Sequence, residues 1–249
     1  MDKHEKFQEE VAANIRGLQD DKDVQALSRI WVREISRHKY AYNFSWFGRP
    51  AIQFPQDMIA MQELIAKVQP QVIIETGIAH GGSLLFSASM LELSAICGGP
   101  QDAEVIGIDI DIRSHNREAI ESHPLARRVS MIEGSSIDEE VIAQVKDRVA
   151  GKSPVMVCLD SHHAHDHVLA ELQAYAPLVT PGSYCVAFDT LLEDLPAELS
   201  GDRPWRPGDS PKTAVFEYLE TTDKYQIDSD IDAKLLISVA PDGYLKRVA

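Results

Sequence analysis

Short Val/Ile-rich runs that alternate with helix-length stretches constrain this chain more than any other feature. The runs cover residues 72–74, 105–109, 129–132, 155–160 and 183–189, and helical stretches, including 57–68 and 83 to about 96, separate them. A strand that returns to its sheet through a helix does so by a right-handed crossover and lies parallel to its predecessor. Repeating that step predicts an α/β fold built on a doubly wound, mostly parallel sheet. After Asp189 the chain crosses an irregular stretch with Pro196, Gly201, Pro204, Pro207, Gly208 and Pro211, long enough to carry function. A helix over 213–220 and two strands, at 225–227 and 235–239, are expected to complete the unit.

Upstream, residues 5–37 place Phe7, Val11, Ile15, Leu18, Leu27, Ile30 and Ile35 at helical spacing, with an acidic break at Asp20, Asp21 and Asp23. This predicts an N-terminal extension of two amphipathic helices. Tyr40, Tyr42, Phe44, Trp46 and Phe47 then crowd an irregular stretch closed by Gly48 and Pro50, expected to be a lid or a packed lead-in loop. The chain therefore divides into 1–55, the helices and aromatic loop, and 56–249, the α/β unit.

Charge narrows the partners. Acidic side chains outnumber basic ones 39 to 24, and the formal charge of −15 repels phosphate backbones and anionic lipid. Neither nucleic acid nor membrane is expected as a partner, since the apolar runs also fall far short of the roughly 20 residues that span a bilayer. The first residues lack an apolar leader, which points to a cytoplasmic location. Cys97, Cys158 and Cys185 show no CxxC spacing, so neither a disulfide framework nor a zinc knuckle is supported.

In doubly wound sheets ligands bind outside the carboxyl ends of the strands. Here those ends carry Glu75, Asp109, a Gly134-Ser135-Ser136 turn, Asp160 and Asp189. The first turn, Glu75-Thr76-Gly77-Ile78-Ala79-His80-Gly81-Gly82-Ser83, lets backbone approach a ligand at a helix N-terminus. It lacks the Walker lysine and fails the dinucleotide G-x-G-x-x-G spacing. An acid ahead of the glycines repels pyrophosphate and suits a cationic amine, while Asp109 can accept hydrogen bonds from ribose hydroxyls. Together they suggest an adenosine cofactor with a positive, phosphate-free tail, a description that S-adenosylmethionine fits.

The run Asp160-Ser161-His162-His163-Ala164-His165-Asp166-His167 is dense enough for a metal site, a general base or both. Asp160 and Asp189 end adjacent strands and can share a hard divalent cation such as Mg²⁺. A helix starting near Ala164 would set His163 and His167 on one face, giving zinc as an alternative, though without the Glu of an HExxH motif.

At these residues the chain resembles the cephalosporin hydroxylase family, whose members have the Rossmann-like class I fold of S-adenosylmethionine-dependent methyltransferases and include rhamnosyl O-methyltransferases. The resemblance runs from about Tyr40 to Arg247. It rests on Tyr42-Asn43-Phe44-Ser45-Trp46, Gly48-Arg49-Pro50, Ile52-Gln53, the segment from Ile74 to Ser83, Asp160-Ser161 with its histidines, Arg203-Pro204-Trp205, Pro211-Lys212-Thr213-Ala214-Val215 and the segment from Ala240 to Arg247. It implies that Glu75, Gly77, Gly81, Gly82 and Ser83 contact the cofactor's methionine part, that Thr76 and Asp160 also belong to the cofactor site, that Asp109 holds its ribose, and that Ser135 or Ser136 approaches the adenine. The family is similar to the catechol O-methyltransferase type, in which acids after the fourth and fifth strands hold a metal and a basic residue three positions after the first takes the hydroxyl proton. Those positions are Asp160, Asp189 and His163. The familiar Glu-Asp-Thr after the fifth strand is here Phe188-Asp189-Thr190, so one carboxylate ligand is missing and Thr190 is a candidate to complete the shell.

The expected activity is O-methyl transfer to a hydroxyl of a sugar, glycan or natural product, assisted by Mg²⁺. His163 acts as base, and Tyr42, Trp46, Trp205 and Arg206 join it in walling the acceptor. A homo-oligomer is expected. Two alternatives stay open, a non-catalytic cofactor-binding relative and a metal-dependent hydrolase or hydroxylase.

Overall fold

The computed structural model describes residues 2–249. Two helices open the chain, α1 (Lys3–Asp20) and α2 (Lys22–Ser36). Asp21 divides them, because its carboxylate accepts from the backbone N–H groups of Asp23 and Val24 and so caps α2 as α1 ends. The aromatic stretch is more regular than the sequence suggests. A 3-10 turn at Tyr40–Asn43 leads into a two-residue hairpin, β1 (Ser45–Trp46) and β2 (Arg49–Pro50), whose turn puts Phe47 and Gly48 at positive φ.

The α/β unit follows the expected rhythm through α3 (Pro55–Val68), β3 (Val72–Thr76), α4 (Gly82–Ile96), β4 (Glu104–Asp109), α5 (Ser114–Glu121), β5 (Val129–Glu133), α6 (Glu139–Val149), β6 (Val155–Leu159), α7 (His165–Tyr175) and β7 (Tyr184–Ala187). After the irregular segment come α8 (Pro211–Glu220), β8 (Tyr225–Ile227), α9 (Ser229–Leu235) and β9 (Tyr244–Arg247). The seven-stranded sheet has the order β5-β4-β3-β6-β7-β9-β8. It is parallel from β5 to β7, and β9 enters antiparallel between β7 and β8.

The expected strand over 235–239 is not formed. Leu236 sits at φ 61°, and the Val239 N–H and Ser238 hydroxyl donate to the buried carboxylate of Asp57, so a side chain takes the donors that a strand would offer its neighbour. Residues 229–235 are helical, and the last strand lies at Tyr244–Arg247.

Alternation along the strands sorts the core into two halves. Ile73, Val105, Met156, Cys158 and Val186 face α3 and α4, while Val72, Ile74, Ile106, Val157 and Cys185 face α6, α7 and α8. β3 and β6 are buried throughout, as central parallel strands covered on both faces must be. Val32 of α2 and Phe54 join the first half, which ties the N-terminal segment to the sheet. Among the described residues no helix is long and apolar enough to cross a membrane.

Candidate active site

From β3 the chain moves outward through β4 to β5 and then returns to β6 on the other side. That reversal opens a crevice at the carboxyl ends of β3 and β6. Gly77 carries the chain off β3 at φ 89°, and a Cβ there would stand 2.0 Å from the Asp160 carbonyl oxygen, so only glycine lets the two strand-end loops pass. Gly81 caps α4 at φ 82°, and Gly82 lies against the Pro50 carbonyl oxygen, which locks the hairpin over the first turn of α4.

Glu75 is buried beneath this turn. Ser83 donates to one of its oxygens at 2.6 Å and Ser87 to the other at 3.1 Å, both from α4. Burial pushes its carboxyl up to about 7, against the pull of those two hydroxyls. Thr76 is fully buried between the strands, where its hydroxyl accepts weakly from the Asp160 N–H. Asp109 pins the glycine loop, since Oδ2 accepts from the N–H groups of Ile78 at 2.8 Å and Ala79 at 3.0 Å. Its remaining lone pairs border a cleft of about 350 Å³ lined by Gly77, Asp109, Ser135, Ser136, His162 and His167.

Asp160 begins the loop after β6. Burial, then the charges of Asp189 and Glu75, raise its carboxyl well above the ordinary aspartate value, while the Gln53 amide donates to Oδ2 at 3.1 Å. His163 Nε2 lies 3.2 Å from Asp189 Oδ2, and Asp189 itself sits in the left-handed region at φ 55°. Asp160, His163 and Asp189 each present a ligand atom within 4.8 Å of the others, the one such cluster among the described residues. Two carboxylate oxygens and an imidazole nitrogen form a donor set suited to a divalent cation.

Several expected residues take other places. Thr190 donates its hydroxyl to the Pro241 carbonyl at 2.7 Å and is fully buried, so His163 rather than Thr190 stands third in the cluster. Phe188, which stands where the familiar pattern has Glu, is buried against a small cavity that it lines together with Met58, Met61 and Phe86. Helix α7 starts at His165, too late to set His163 and His167 on one face. His167 turns to Ser136 and Ser161, and His165 to Thr213 and Glu217, so the zinc pair does not form.

The aromatic residues divide likewise. Tyr42 lines a second cleft of about 480 Å³ that Asp189, Ile52, Phe54, Leu191 and Arg203 share. Trp205 sets its ring edge-on to His163 at 4.9 Å and to His162 at 5.3 Å, with the Arg203 guanidinium over its face. Trp46 is committed elsewhere, because its indole N–H donates to Ser89 and its ring packs on Phe86, anchoring the hairpin to α4. Arg206 is exposed at a tight turn closed with Asp209. Gln53 and Asp57 were assigned no role from sequence. Gln53 stands in the Ile52-Gln53 pair of the resemblance, a signal that could have found it, whereas the partners of Asp57 lie some 180 residues away.

The chain is similar to several known proteins. A rhamnosyl O-methyltransferase of Mycobacterium bovis is 30% identical over 223 residues, covering 84% of this chain and 83% of that protein. Its namesake in Mycobacterium leprae is 31% identical, covering 84% and 88%. Among solved structures, CmcI with Mg and SAM superposes with a TM-score of 0.56 at 22% identity over 84% of this chain and 78% of that one. An O-methyltransferase from Bacillus cereus in complex with SAH gives 0.52 at 15% identity, covering 80% and 81%. These likenesses show the fold. The family model for Rhamnosyl O-methyltransferase/CmcI matches residues 38–248, which takes in every strand of the large sheet and every acid at its carboxyl edge, and the chain belongs to that family.

Proposed function

We propose that the protein is an S-adenosylmethionine-dependent O-methyltransferase that methylates a hydroxyl of a sugar, glycan or natural product, assisted by Mg²⁺. The observation that carries this reading is the Asp160, His163 and Asp189 cluster, set between a nucleoside-sized cleft and a second cleft that opens on Asp189. The names of its relatives, rhamnosyl O-methyltransferases, support a sugar as acceptor.

The residues fit both groups. Gly77, Asp109, Ser135, Ser136 and His162 border the cleft that would take the nucleoside, and the buried Glu75 with Ser83 suits a cationic amino-acid end. Asp160 and Asp189 would hold the divalent ion, whose charge stabilises a developing alkoxide. S-adenosylmethionine brings a methyl group made electrophilic by its sulfonium.

The chain's own residues supply the rest. The His163 imidazole takes the acceptor hydroxyl's proton, and Asp189, 3.2 Å from its Nε2, stabilises the imidazolium that results. Trp205 packs perpendicular to the His163 ring at 4.9 Å and supports its orientation. The second cleft, apolar along Ile52, Phe54, Leu191 and Leu195, orients the acceptor and excludes water, so proximity contributes to the rate.

Beyond the chemistry, residues 1–55 serve as cover for a methyltransferase-like unit over 56–249. The exposed Leu27, Ile30 and Trp31 of α2 support a homo-oligomer. Free thiols, with Cys158 and Cys185 buried, suit the cytoplasm.

Calorimetric titration of cofactor-stripped protein with S-adenosylmethionine, with and without Mg²⁺, tests the reading. Micromolar binding, on the order of −8 kcal/mol, is expected. Absence of binding in both buffers overturns it.

A further inference from the structure

Asp57, in the first turn of α3, is 1% exposed, and three donors converge on its carboxylate. The Ser238 and Tyr244 hydroxyls donate to Oδ1 at 2.5 and 2.7 Å, and the Val239 N–H donates to Oδ2 at 2.9 Å. Ser238 in turn accepts from the Ala240 N–H at 2.8 Å. Two of the three donors thus belong to the loop over 238–241 and fix its course. A buried carboxyl is costly unless its lone pairs are used, and here most of that use goes to a single loop.

That loop holds the segment that carries Asp189. Phe188 still donates its N–H to the Leu159 carbonyl at the end of β6, and from there the loop serves as the support. The Val239 carbonyl accepts from the Leu191 N–H at 3.2 Å, and the Pro241 carbonyl accepts from the Thr190 hydroxyl at 2.7 Å. Both residues that follow Asp189 are therefore tied to it. Asp189 itself stands at φ 55°, a left-handed conformation that a residue with a side chain keeps only where its surroundings impose it. From this conformation its Oδ2 lies 3.2 Å from His163 Nε2 and joins Asp160 in the cluster.

We propose that Asp57 is a positioning residue for the metal cluster: through the loop over 238–241, its carboxylate holds Asp189 in the conformation that presents Oδ2 to His163 and to a divalent ion. The assignment rests on the Mg²⁺-assisted reading above. It gives the buried acid of α3 a part in the chemistry although it touches neither ion nor substrate. It also gives Thr190 a part, as the hydroxyl that ties the segment after Asp189 to the loop. Of the three bonds to Asp57, those from Ser238 and Val239 lie on the path to Asp189, and the one from Tyr244 comes from β9 and does not.

The test titrates Mg²⁺ calorimetrically into the full chain and measures urea unfolding of each variant in metal-free buffer. Asp57→Leu removes every acceptor and Ser238→Ala releases the loop, and each should weaken Mg²⁺ binding by about 10- to 100-fold. Asp57→Asn keeps an oxygen for the Val239 N–H, and the Ser238 and Tyr244 hydroxyls can turn to accept from its NH₂, so it should stay within a few-fold of wild type. Tyr244→Phe removes the bond that is off the path and should lower stability with Mg²⁺ affinity unchanged. Wild-type affinity in Asp57→Leu and Ser238→Ala would overturn the proposal. So would an equal loss in Ser238→Ala and Tyr244→Phe, since the effect would then follow stability alone. Should Asp57→Leu fail to fold, the comparison of Ser238→Ala with Tyr244→Phe decides by itself. If wild type binds no Mg²⁺, the metal-assisted reading falls and takes the proposal with it, an outcome distinct from normal wild-type binding that the variants leave unchanged.

Discussion

Glu75, which the proposed function sets against the cofactor, is a buried carboxyl that costs the fold stability when it ionises. Its carboxyl is raised from 4.5 to about 7 by burial, so the folded state binds its proton more tightly than the unfolded state does. The stability this contributes is full below about pH 4.5 and is lost as pH rises through about 7. Glu75→Gln never ionises and keeps the hydroxyl neighbours, so it should be more stable than wild type at pH 8 by up to about 3 kcal/mol, with little difference at pH 4. Urea unfolding at the two pH values checks this, and the same variant should bind S-adenosylmethionine poorly. His163 is the opposite case. His163→Ala should leave cofactor affinity within a few-fold and cut methyl transfer by about 10²- to 10⁴-fold, read by single-turnover kinetics. Unchanged turnover would remove the base role. The strand-end acids were legible because each interrupts a Val/Ile run. Asp57 was not, because the donors it holds lie some 180 residues further along the chain.

Elements meet at the glycine turn after β3, where packing leaves no tolerance. Gly77→Ala forces both a strained φ and a Cβ at 2.0 Å from the Asp160 carbonyl, and should cost about 3 kcal/mol or more in urea unfolding. Gly48→Ala is the control. Gly48 shares a positive φ of 83° but has nothing within 4 Å, so only the backbone cost of about 1–2 kcal/mol applies. The helices and the first five large-sheet strands were readable because burial on one or both faces imposes a period on the sequence. The tail was not. Residues 229–235 form a helix with only Ala233 buried, too short and too exposed to show periodicity, while the apolar stretch after it satisfies its donors on Asp57. The hairpin escaped for a similar reason, since two-residue strands leave no alternation to count.

For the molecule as a whole, the second N-terminal helix stands out for the large apolar side chains it exposes. Leu27 is 64% exposed, Ile30 49% and Trp31 60%, in a chain whose charge of −15 would keep copies apart unless apolar contact brought them together. Sedimentation should therefore show a multimer for wild type and a smaller species for Trp31→Glu, with cofactor binding intact. A monomeric wild type would remove the oligomer reading. The parallel pairing as far as β7 followed from the alternation of strands and helices. The position of β9 did not, because an antiparallel pairing between distant segments leaves no local trace. That pairing governs the order in which a growing chain can finish its work. β7 leaves the ribosome some 60 residues before β9, and until Tyr244–Arg247 follow, its outer edge offers unpaired N–H and C=O groups to any passing strand. The sheet is therefore sealed only once β9 has emerged, and a nascent chain stalled before that point should be more aggregation-prone than one stalled after it.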